Sequence, residues 1–156
     1  MKRQPTCVCI NLRRAARAIS KLYDDALAES GLKITQFSLL REIERSEPAP
    51  ISRLADAVEL DRTTLARNLS PLERDGLVAL AAGEDLRVTE VRLTRKGRAA
   101  IARAVPMWER AQAQIASRLP AGGLGQLQKI VVEVSEAMVE SGQASRRFGQ
   151  TLREDA

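Results

Sequence analysis

The chain has 156 residues, about the length of one domain with a packed core. Its 25 Lys and Arg against 20 Asp and Glu give a net charge of +5, which suits a polyanionic partner without identifying one. Because the chain has no histidine and only two cysteines, a disulfide scaffold, a zinc site and imidazole-based catalysis are excluded. No apolar run approaches the ~18–20 residues of a membrane span, and no apolar signal-peptide segment follows the start MKRQPTCVCI. We therefore expect a cytoplasmic protein without a metal ion or cofactor.

A first amphipathic helix is predicted over about residues 6–29. Its apolar residues recur at spacings of three and four, which places them in one stripe that should be buried: Cys9, Leu12, Ala16, Ile19, Tyr23 and Leu27. Gly31 suits the left-handed position that ends a helix.

Two shorter helices are predicted next. Thr35 should cap the second helix, whose apolar residues are Phe37, Leu39, Leu40 and Ile43. Pro48 and Pro50 should end it and force extended backbone before Ile51. Ser52 should cap the third helix, with three residues facing inward: Leu54, Ala55 and Val58. Leu60 should end the turn that follows.

A fourth helix, capped by Asp61, has one apolar and one polar face. A helical wheel groups Leu65, Leu69 and Leu72 on the core face. The polar side chains lie opposite or on the flanks: Arg62, Thr63, Thr64, Arg67, Asn68, Ser70 and Arg74. Arginine can bind guanine, asparagine can bind adenine, and threonine can contact the thymine methyl group. Arg74 lies further along the helix and is better placed to contact phosphate. The alternative is an ordinary amphipathic helix with a solvated polar face.

A two-stranded ribbon is predicted from residues 77–80 and 88–93, with Gly83 in the connecting loop. Helix, tight turn, helix and ribbon are the parts of a winged helix-turn-helix, which places its second helix in the DNA major groove. Arg87 at the ribbon tip could enter a narrow minor groove, with Asp85 orienting its guanidinium. The alternative is a local surface ion pair.

Two further helices are predicted after the ribbon. Thr94 should cap the fifth, which Pro106 should bend; its apolar residues are Ile101, Val105, Trp108, Ile115 and Leu119. After a break at residues 119–123, the sixth has apolar residues at near-heptad spacing: Leu124, Leu127, Ile130 or Val131, Val134 and Met138. Residues 141–156 should form a polar, frayed tail.

The expected fold is mainly α with a small β-wing, in one interwoven domain. Residues 1–32 and 99–140 would form dimerisation helices around a winged helix-turn-helix module at 33–98, with the polar tail at 141–156. Because the central module is too small to cover the apolar stripes at both chain ends, we expect a homodimer. A two-fold dimer would place its recognition helices roughly 34 Å apart and read a palindrome.

Four segments together resemble the MarR family (multiple antibiotic resistance regulators). They are LADAVELDRTTLARNLSPLERDGLV at residues 54–78, the wing pair Asp85 and Arg87, VRLTRKG at 91–97 and VPMWERAQ at 105–112. The resemblance covers roughly residues 7–140. It implies a homodimer with one winged helix per subunit, bound to pseudo-palindromic promoter DNA, usually as a repressor released by a ligand or an oxidant.

The resemblance also implies a role for the wing. Arg87 corresponds to the family's minor-groove arginine. Glu84 and Leu86 stand where the family wing is often richer in arginine.

The start of the first helix is similar to one MarR branch, the organic hydroperoxide resistance regulators. Cys9 falls on the sensor cysteine of that branch, and Tyr23 on a tyrosine that bonds the thiolate, whereas Arg13 stands at the position of a second tyrosine. A helix start and a nearby guanidinium favour the reactive thiolate. Cys7 would resolve the oxidised thiol through the partner subunit, because bridging Cys7 to Cys9 directly would be strained. The alternative is that Cys9 is a small packing residue.

Another candidate effector is a small aromatic or phenolic ligand between the dimerisation helices and the winged module. Its pocket could be lined by Arg13, Arg17, Tyr23, Phe37 and Trp108. An enzyme is not expected, because the chain lacks a glycine-rich phosphate loop and a nucleophile with an evident base. The competing function is a dimeric winged-helix module that contacts protein instead of DNA.

Overall fold

The computed structural model describes residues 7–85 and 87–154, with side chains to residue 138. It contains six α-helices and three strands within those residues: α1 (Val8–Leu27), α2 (Ile34–Ser46), β1 (Ala49–Pro50), α3 (Ile51–Ala57), α4 (Arg62–Arg74), β2 (Val78–Ala82), β3 (Thr89–Leu93), α5 (Arg95–Ser117) and α6 (Gly123–Glu154). The chain divides into two compact units, residues 1–111 and 112–156. The mainly helical fold with a small sheet is as predicted. No helix in the described part is long and apolar enough to cross a membrane.

Helix α1 ends close to where the sequence predicts. A 3₁₀ turn (Ala28–Ser30) follows it, and Gly31 takes the left-handed conformation at φ 77°, as predicted. The buried Ser30 hydroxyl donates to the Leu27 carbonyl at 2.6 Å and accepts the Leu32 N–H at 3.3 Å, which stabilises this sharp end. The predicted helix start, Thr6, lies outside the described residues.

The predicted cap of α2 is wrong. Helix α2 begins at Ile34, so Thr35 lies inside its first turn. The Asp24 carboxylate on α1 accepts the Ile34 N–H at 2.8 Å, and Gln36 Oε1 accepts the Lys33 N–H at 2.9 Å. These contacts satisfy free donors at the helix start, so no threonine cap is needed. All four predicted core residues of α2 are buried.

The predicted cap of α3 is also wrong. Pro50 precedes the helix in extended conformation, and Ser52 is its second residue. Proline fixes φ near the helical value and has no N–H to satisfy, so the chain enters the helix two residues earlier than a cap at Ser52 would require. Leu54 and Ala55 are buried as predicted, whereas Val58 is half-buried.

Helix α4 begins and packs as predicted. The Asp61 carboxylate accepts the Thr64 N–H at 2.9 Å and the Thr64 hydroxyl at 2.6 Å, forming the N-cap. Leu65, Leu69 and Leu72 are at most 2% exposed. The turn from α3 is closed by the Leu60 N–H, which donates to the Ala55 carbonyl at 3.0 Å.

The sheet has the strand order β1-β3-β2, all antiparallel. Strands β2 and β3 form the predicted ribbon, in register from Val78 opposite Leu93 to Ala82 opposite Thr89. The sequence predicts only extended backbone for the short strand β1, because a strand of two residues carries no alternation. It pairs Ala49 with Val91 and so joins the ribbon to the helices.

The core of the first unit lies between the helices and the inner face of the sheet. Its largest fully buried side chains are Leu27, Leu40, Ile43, Leu54, Leu65, Leu69, Leu72 and Val91. The apolar stripe predicted on α1 is buried only at its end, at Leu27, and half-buried at Ile19 and Tyr23. Cys9, Leu12 and Ala16 are exposed, so their predicted burial is wrong within one subunit, because no described residue of this unit covers the start of α1.

The second unit contains the end of α5 and all of α6. The break between these helices falls where predicted, with Gly122 in left-handed conformation at φ 74°. Helix α6 continues to Glu154, so the expectation of a frayed tail from Ser141 is wrong for the backbone. The segment contains no proline, and its good helix formers outnumber Gly142 and Gly149, so the helical backbone continues.

Candidate nucleic-acid interface

The polar face of α4 is open to solvent in this subunit. The exposed residues are Arg62, Thr63, Arg67, Asn68, Ser70 and Arg74. Thr63 and Arg67 lie in the first two turns, at the end of the helix that follows the tight turn. The face therefore offers hydroxyl, guanidinium and amide groups that match base edges and phosphates.

Two predicted DNA-contact residues on α4 have partners within the chain. Thr64 is half-buried, and its hydroxyl donates to the Asp61 carboxylate, so Thr64 is part of the helix cap. Arg74 Nε lies 3.5 Å from Asp75 Oδ1 in an exposed ion pair. An exposed pair of this kind is weak and can exchange for a phosphate.

Asp61 places a negative charge at the start of α4. The hydrogen bonds from Thr64 lower the pKa of its carboxyl, so it is ionised at neutral pH. A carboxylate at a helix N-terminus stabilises the helix through the free amides and the helix dipole. Asp61 thus fixes the first turn, from which Thr63 and Arg67 project.

The wing tip is ordered around Asp85 and Arg87. The Asp85 carboxylate accepts the Arg87 backbone N–H at 3.0 Å, the Nε at 3.1 Å and the Nη2 at 3.2 Å. These contacts lower the pKa of the Asp85 carboxyl. The Arg87 side chain is still 89% exposed, so the ion pair orients the guanidinium without covering it. Leu86 lies outside the described residues.

A cavity of about 700 Å³ lies in the first unit, beside the aromatic pair Phe37 and Trp108. The two ring centroids are 6.2 Å apart and the planes are tilted by 36°. Leu60 and Asn68 line another part of the wall, so the cavity reaches the turn and α4 itself. A volume of this size fits a small organic ligand.

The cavity brings together some of the predicted ligand residues and not others. Phe37 and Trp108 line it, whereas Arg13, Arg17 and Tyr23 do not; Arg17 lies on a separate shallow depression. Burial raises the pKa of the Tyr23 phenol, which keeps it protonated.

Sequence reasoning missed the charged residues of this cavity. Arg41 and Arg45 follow Phe37 by four and eight residues, so they share its helix face and could have been found from that spacing. Arg41 pairs with Glu44 at 2.6 Å and Arg45 with Glu42 at 3.0 Å. Arg41, Glu42 and Arg45 line the cavity and give it a polar rim beside its aromatic wall.

Both cysteines are exposed free thiols at the start of α1. Cys7 is the N-cap residue and Cys9 lies in the first turn, one turn before Arg13. Cys9 and Tyr23 are fourteen residues apart on one continuous helix, about 21 Å at the α-helical rise. Tyr23 therefore cannot contact Cys9 within one subunit.

No cluster of three or more potential ligands within the described ranges could hold a metal ion. The exposed polar groups of α4 and the wing instead form a surface suited to a polyanion.

Comparisons with known proteins agree with this geometry. The sequence profile described as the MarR family matches residues 32–88. The transcriptional regulator SarZ of Staphylococcus epidermidis is 34% identical over 92 residues. That match covers 58% of this chain and spans only 62% of the length of SarZ.

Solved structures extend the likeness over nearly the whole fold. The transcriptional regulator MosR of M. tuberculosis, crystallised in complex with DNA, is 40% identical with a TM-score of 0.79. That match covers 86% of this chain and 98% of MosR. A MarR mutant of E. coli complexed with operator DNA is 19% identical with a TM-score of 0.75, covering 81% and 92% of the two chains, which shows the same fold. The chain therefore belongs to the MarR family of winged-helix transcription regulators.

Proposed function

We propose that this protein is a homodimeric, sequence-specific DNA-binding repressor. The observation that carries the proposal is the exposed threonine and arginine face of α4, fixed by the Asp61 cap between a tight turn and the ribbon. MosR, at 40% identity, binds DNA in its crystal structure. MarR-family regulators are not enzymes, which agrees with the lack of catalytic groups expected from the sequence.

The dimer is supported by large apolar side chains that one subunit leaves exposed. On α1 these are Val8, Ile10 and Leu12, which are 44–67% exposed. On α6 they are Ile130, Val131, Val132, Val134 and Met138, which are 40–64% exposed. Exposed apolar groups clustered on a helix mark an interaction surface. In a two-fold dimer, each subunit would cover the exposed parts of α1 and α6 of the other subunit.

A small aromatic or phenolic molecule in the cavity is one effector that would release the DNA. The aromatic pair supplies an apolar wall, and the arginines of the rim suit a phenolate or carboxylate. Because Asn68 of α4 also lines the cavity, a bound molecule would contact the recognition helix directly.

Oxidation of the thiols is the second candidate effector, supported by the exposure of Cys9 at a helix start. The Cys9 thiolate would attack a hydroperoxide, break its O–O bond and become a sulfenic acid, with water or an alcohol leaving. The thiol of Cys7 from the partner subunit would then form a disulfide and release water. Tyr23 would stabilise this site only from the partner subunit, given its distance along α1.

The DNA-binding proposal is tested by fluorescence anisotropy with labelled duplexes. The first duplexes are a random pool, and the next are the sequences that the protein selects from that pool. We expect preferred sequences to bind tightly, and log affinity to fall with log salt by roughly 0.9 for each phosphate contacted. The absence of any duplex binding at low salt would contradict the proposal and favour the protein-interaction function.

Different measurements distinguish ligand binding in the cavity from thiol oxidation. Trp108 is the only tryptophan in the chain, so its fluorescence reports directly on occupation of the cavity. Peroxide should release DNA from the native protein but not from Cys9→Ser. Equal release from both proteins would end the thiol proposal without touching the ligand proposal.

A further inference from the structure

The segment LTRKGR at residues 93–98 lies at the C-terminal end of the recognition helix, where the proposed DNA contacts give it no role. Helix α4 ends at Arg74, and Asp75, Gly76 and Leu77 lead from it into β2. Carbonyl groups at a helix end lack partners within the helix, so something else must satisfy them. The backbone N–H groups of Asp75, Gly76 and Leu77 donate to the last carbonyls of α4 and close the helix. The carbonyls of residues 75–77 themselves are bound by side chains at the start of α5.

Two side chains of the segment bind these carbonyls. The Thr94 hydroxyl donates to the Gly76 carbonyl at 2.7 Å and also lies 3.2 Å from the Leu77 carbonyl. The Lys96 ammonium donates to the Asp75 carbonyl at 2.7 Å. A cation at this position also suits the negative end of the α4 dipole.

Gly97 allows this close approach. A Cβ atom at Gly97 would lie 2.1 Å from the Leu77 carbonyl oxygen, so no other residue fits without moving the backbone. The Gly97 N–H donates to the Thr94 hydroxyl oxygen at 3.0 Å, which completes the local network. The glycine is thus required by space and not by a left-handed conformation.

The same segment is held from its other side by Glu47, at the end of α2. The Glu47 carboxylate accepts the Leu93 N–H at 2.8 Å and pairs with the Arg98 guanidinium. The Glu47 side chain is only 15% exposed, so the carboxylate is largely shielded, whereas the Arg98 side chain is 52% exposed. Residues 93–98 therefore join the end of α4, the base of the wing and the end of α2.

We propose that residues 93–98 form a clamp that sets the direction of the recognition helix, with Thr94 and Lys96 as positioning residues for DNA binding. The clamp rests on the proposed DNA-binding function. Its side chains are engaged on backbone carbonyls, so they act through α4 and do not contact DNA.

A clamp at the C-terminal end of α4 also affects the position of its N-terminal end. Helix α4 has 13 residues, about 20 Å in length. A tilt of about 10° around its C-terminal end moves Thr63 by about 3 Å and Arg67 by about 2 Å, whereas a specific contact tolerates about 0.5 Å. Loss of the clamp should therefore weaken specific binding more than general attraction to phosphates.

The test uses the full-length variants Thr94→Val and Lys96→Met, each titrated against a preferred duplex and a random duplex over a range of salt. We expect each variant to lose about 10-fold in affinity for the preferred duplex. Affinity for the random duplex should change by less than about 2-fold, and the salt slope should stay constant because no phosphate contact is lost. Thr94→Ser keeps the hydroxyl and should restore native binding.

Arg95→Met is the matched control, because it removes a positive charge from the same turn at an exposed residue. It should leave the ratio of preferred to random affinity unchanged. The clamp would be overturned if Thr94→Val and Lys96→Met left the ratio of preferred to random affinity at its native value. It would also be overturned if Lys96→Met lowered the salt slope by about one, which would indicate a lost phosphate contact. A third contrary result is the same affinity ratio in Lys96→Met and Arg95→Met. If the native protein binds no duplex, the proposed function itself fails, which is a different outcome.

Discussion

Helices α1 and α4 are both amphipathic, but only α4 has its whole apolar face covered. Leu65 and Leu72 are fully buried, whereas Leu12 and Val8 on α1 are 44% and 67% exposed. The periodic pattern is equally clear in both helices. Periodicity therefore identifies the face that needs cover, but it does not tell whether the same chain or a second copy supplies that cover.

Removal of a buried side chain from α4 should have the largest effect on stability. Leu65→Ala should lower the free energy of unfolding by about 2–5 kcal/mol, because it leaves a cavity in the core of the first unit. Urea unfolding followed by circular dichroism measures the loss. A loss below about 1 kcal/mol would show that the core is placed wrongly.

The matching change on α1 is Leu12→Ala, which should act on association. Burial of a leucine contributes about 1.5–3 kcal/mol, so the dimer dissociation constant should rise by at least about 10-fold. Sedimentation velocity over a range of protein concentrations measures it. Lys21→Ala, which removes an exposed ion pair with Asp25 on the same helix, is the control and should change association little. A monomer in both native protein and variant would contradict the dimer.

The polar face of α4 is tested by Arg67→Ala. Specific DNA binding should weaken by about 1–3 kcal/mol and base preference should relax at one position of each half-site. Arg103→Ala removes the same charge from an exposed site on α5 and should leave base preference intact. Native preference in Arg67→Ala would show that this residue does not read bases.

The smallest expected effect concerns acid stability. The lowered pKa of Asp61 means that the folded state favours its ionised form, so its stabilising contribution is complete above the usual carboxyl range, centred on 3.8. That contribution is lost as the pH falls through this value toward the lowered one. Asp61→Asn keeps a capping group without a charge, so its thermal midpoint should vary less with pH in acid than that of the native protein. Identical pH profiles would contradict the role assigned to the carboxylate.

Much of the fold follows from local signals in the sequence. The ends set by Gly31, Asp61 and Thr94 are correct because a single residue supplies the conformation or the hydrogen bond. The caps expected at Thr35 and Ser52 are wrong because distant or conformational effects act instead, a carboxylate on α1 in the first case and a proline in the second. The carboxylate on α1 has no local pattern, whereas Pro50, directly before α3, is a local signal for the earlier start.

The candidate site also has one part that the sequence predicts and one that it does not. The exposed face of α4 is predictable because a helical wheel fixes it once the core face is known. The cavity is not, because Trp108 and Asn68 come from helices whose packing the sequence does not state. The ligand residues expected on α1, Arg13, Arg17 and Tyr23, do not line the cavity, because residue type alone does not tell which helix face meets it.

The central claim is that two subunits present the α4 face around Arg67 to two successive turns of DNA. In vitro selection from a random duplex pool tests it most directly. We expect enrichment of an inverted repeat whose half-sites are centred about 10–10.5 base pairs apart, with guanine preference reduced in Arg67→Ala. Enrichment of a single unpaired motif, or of none, would contradict it.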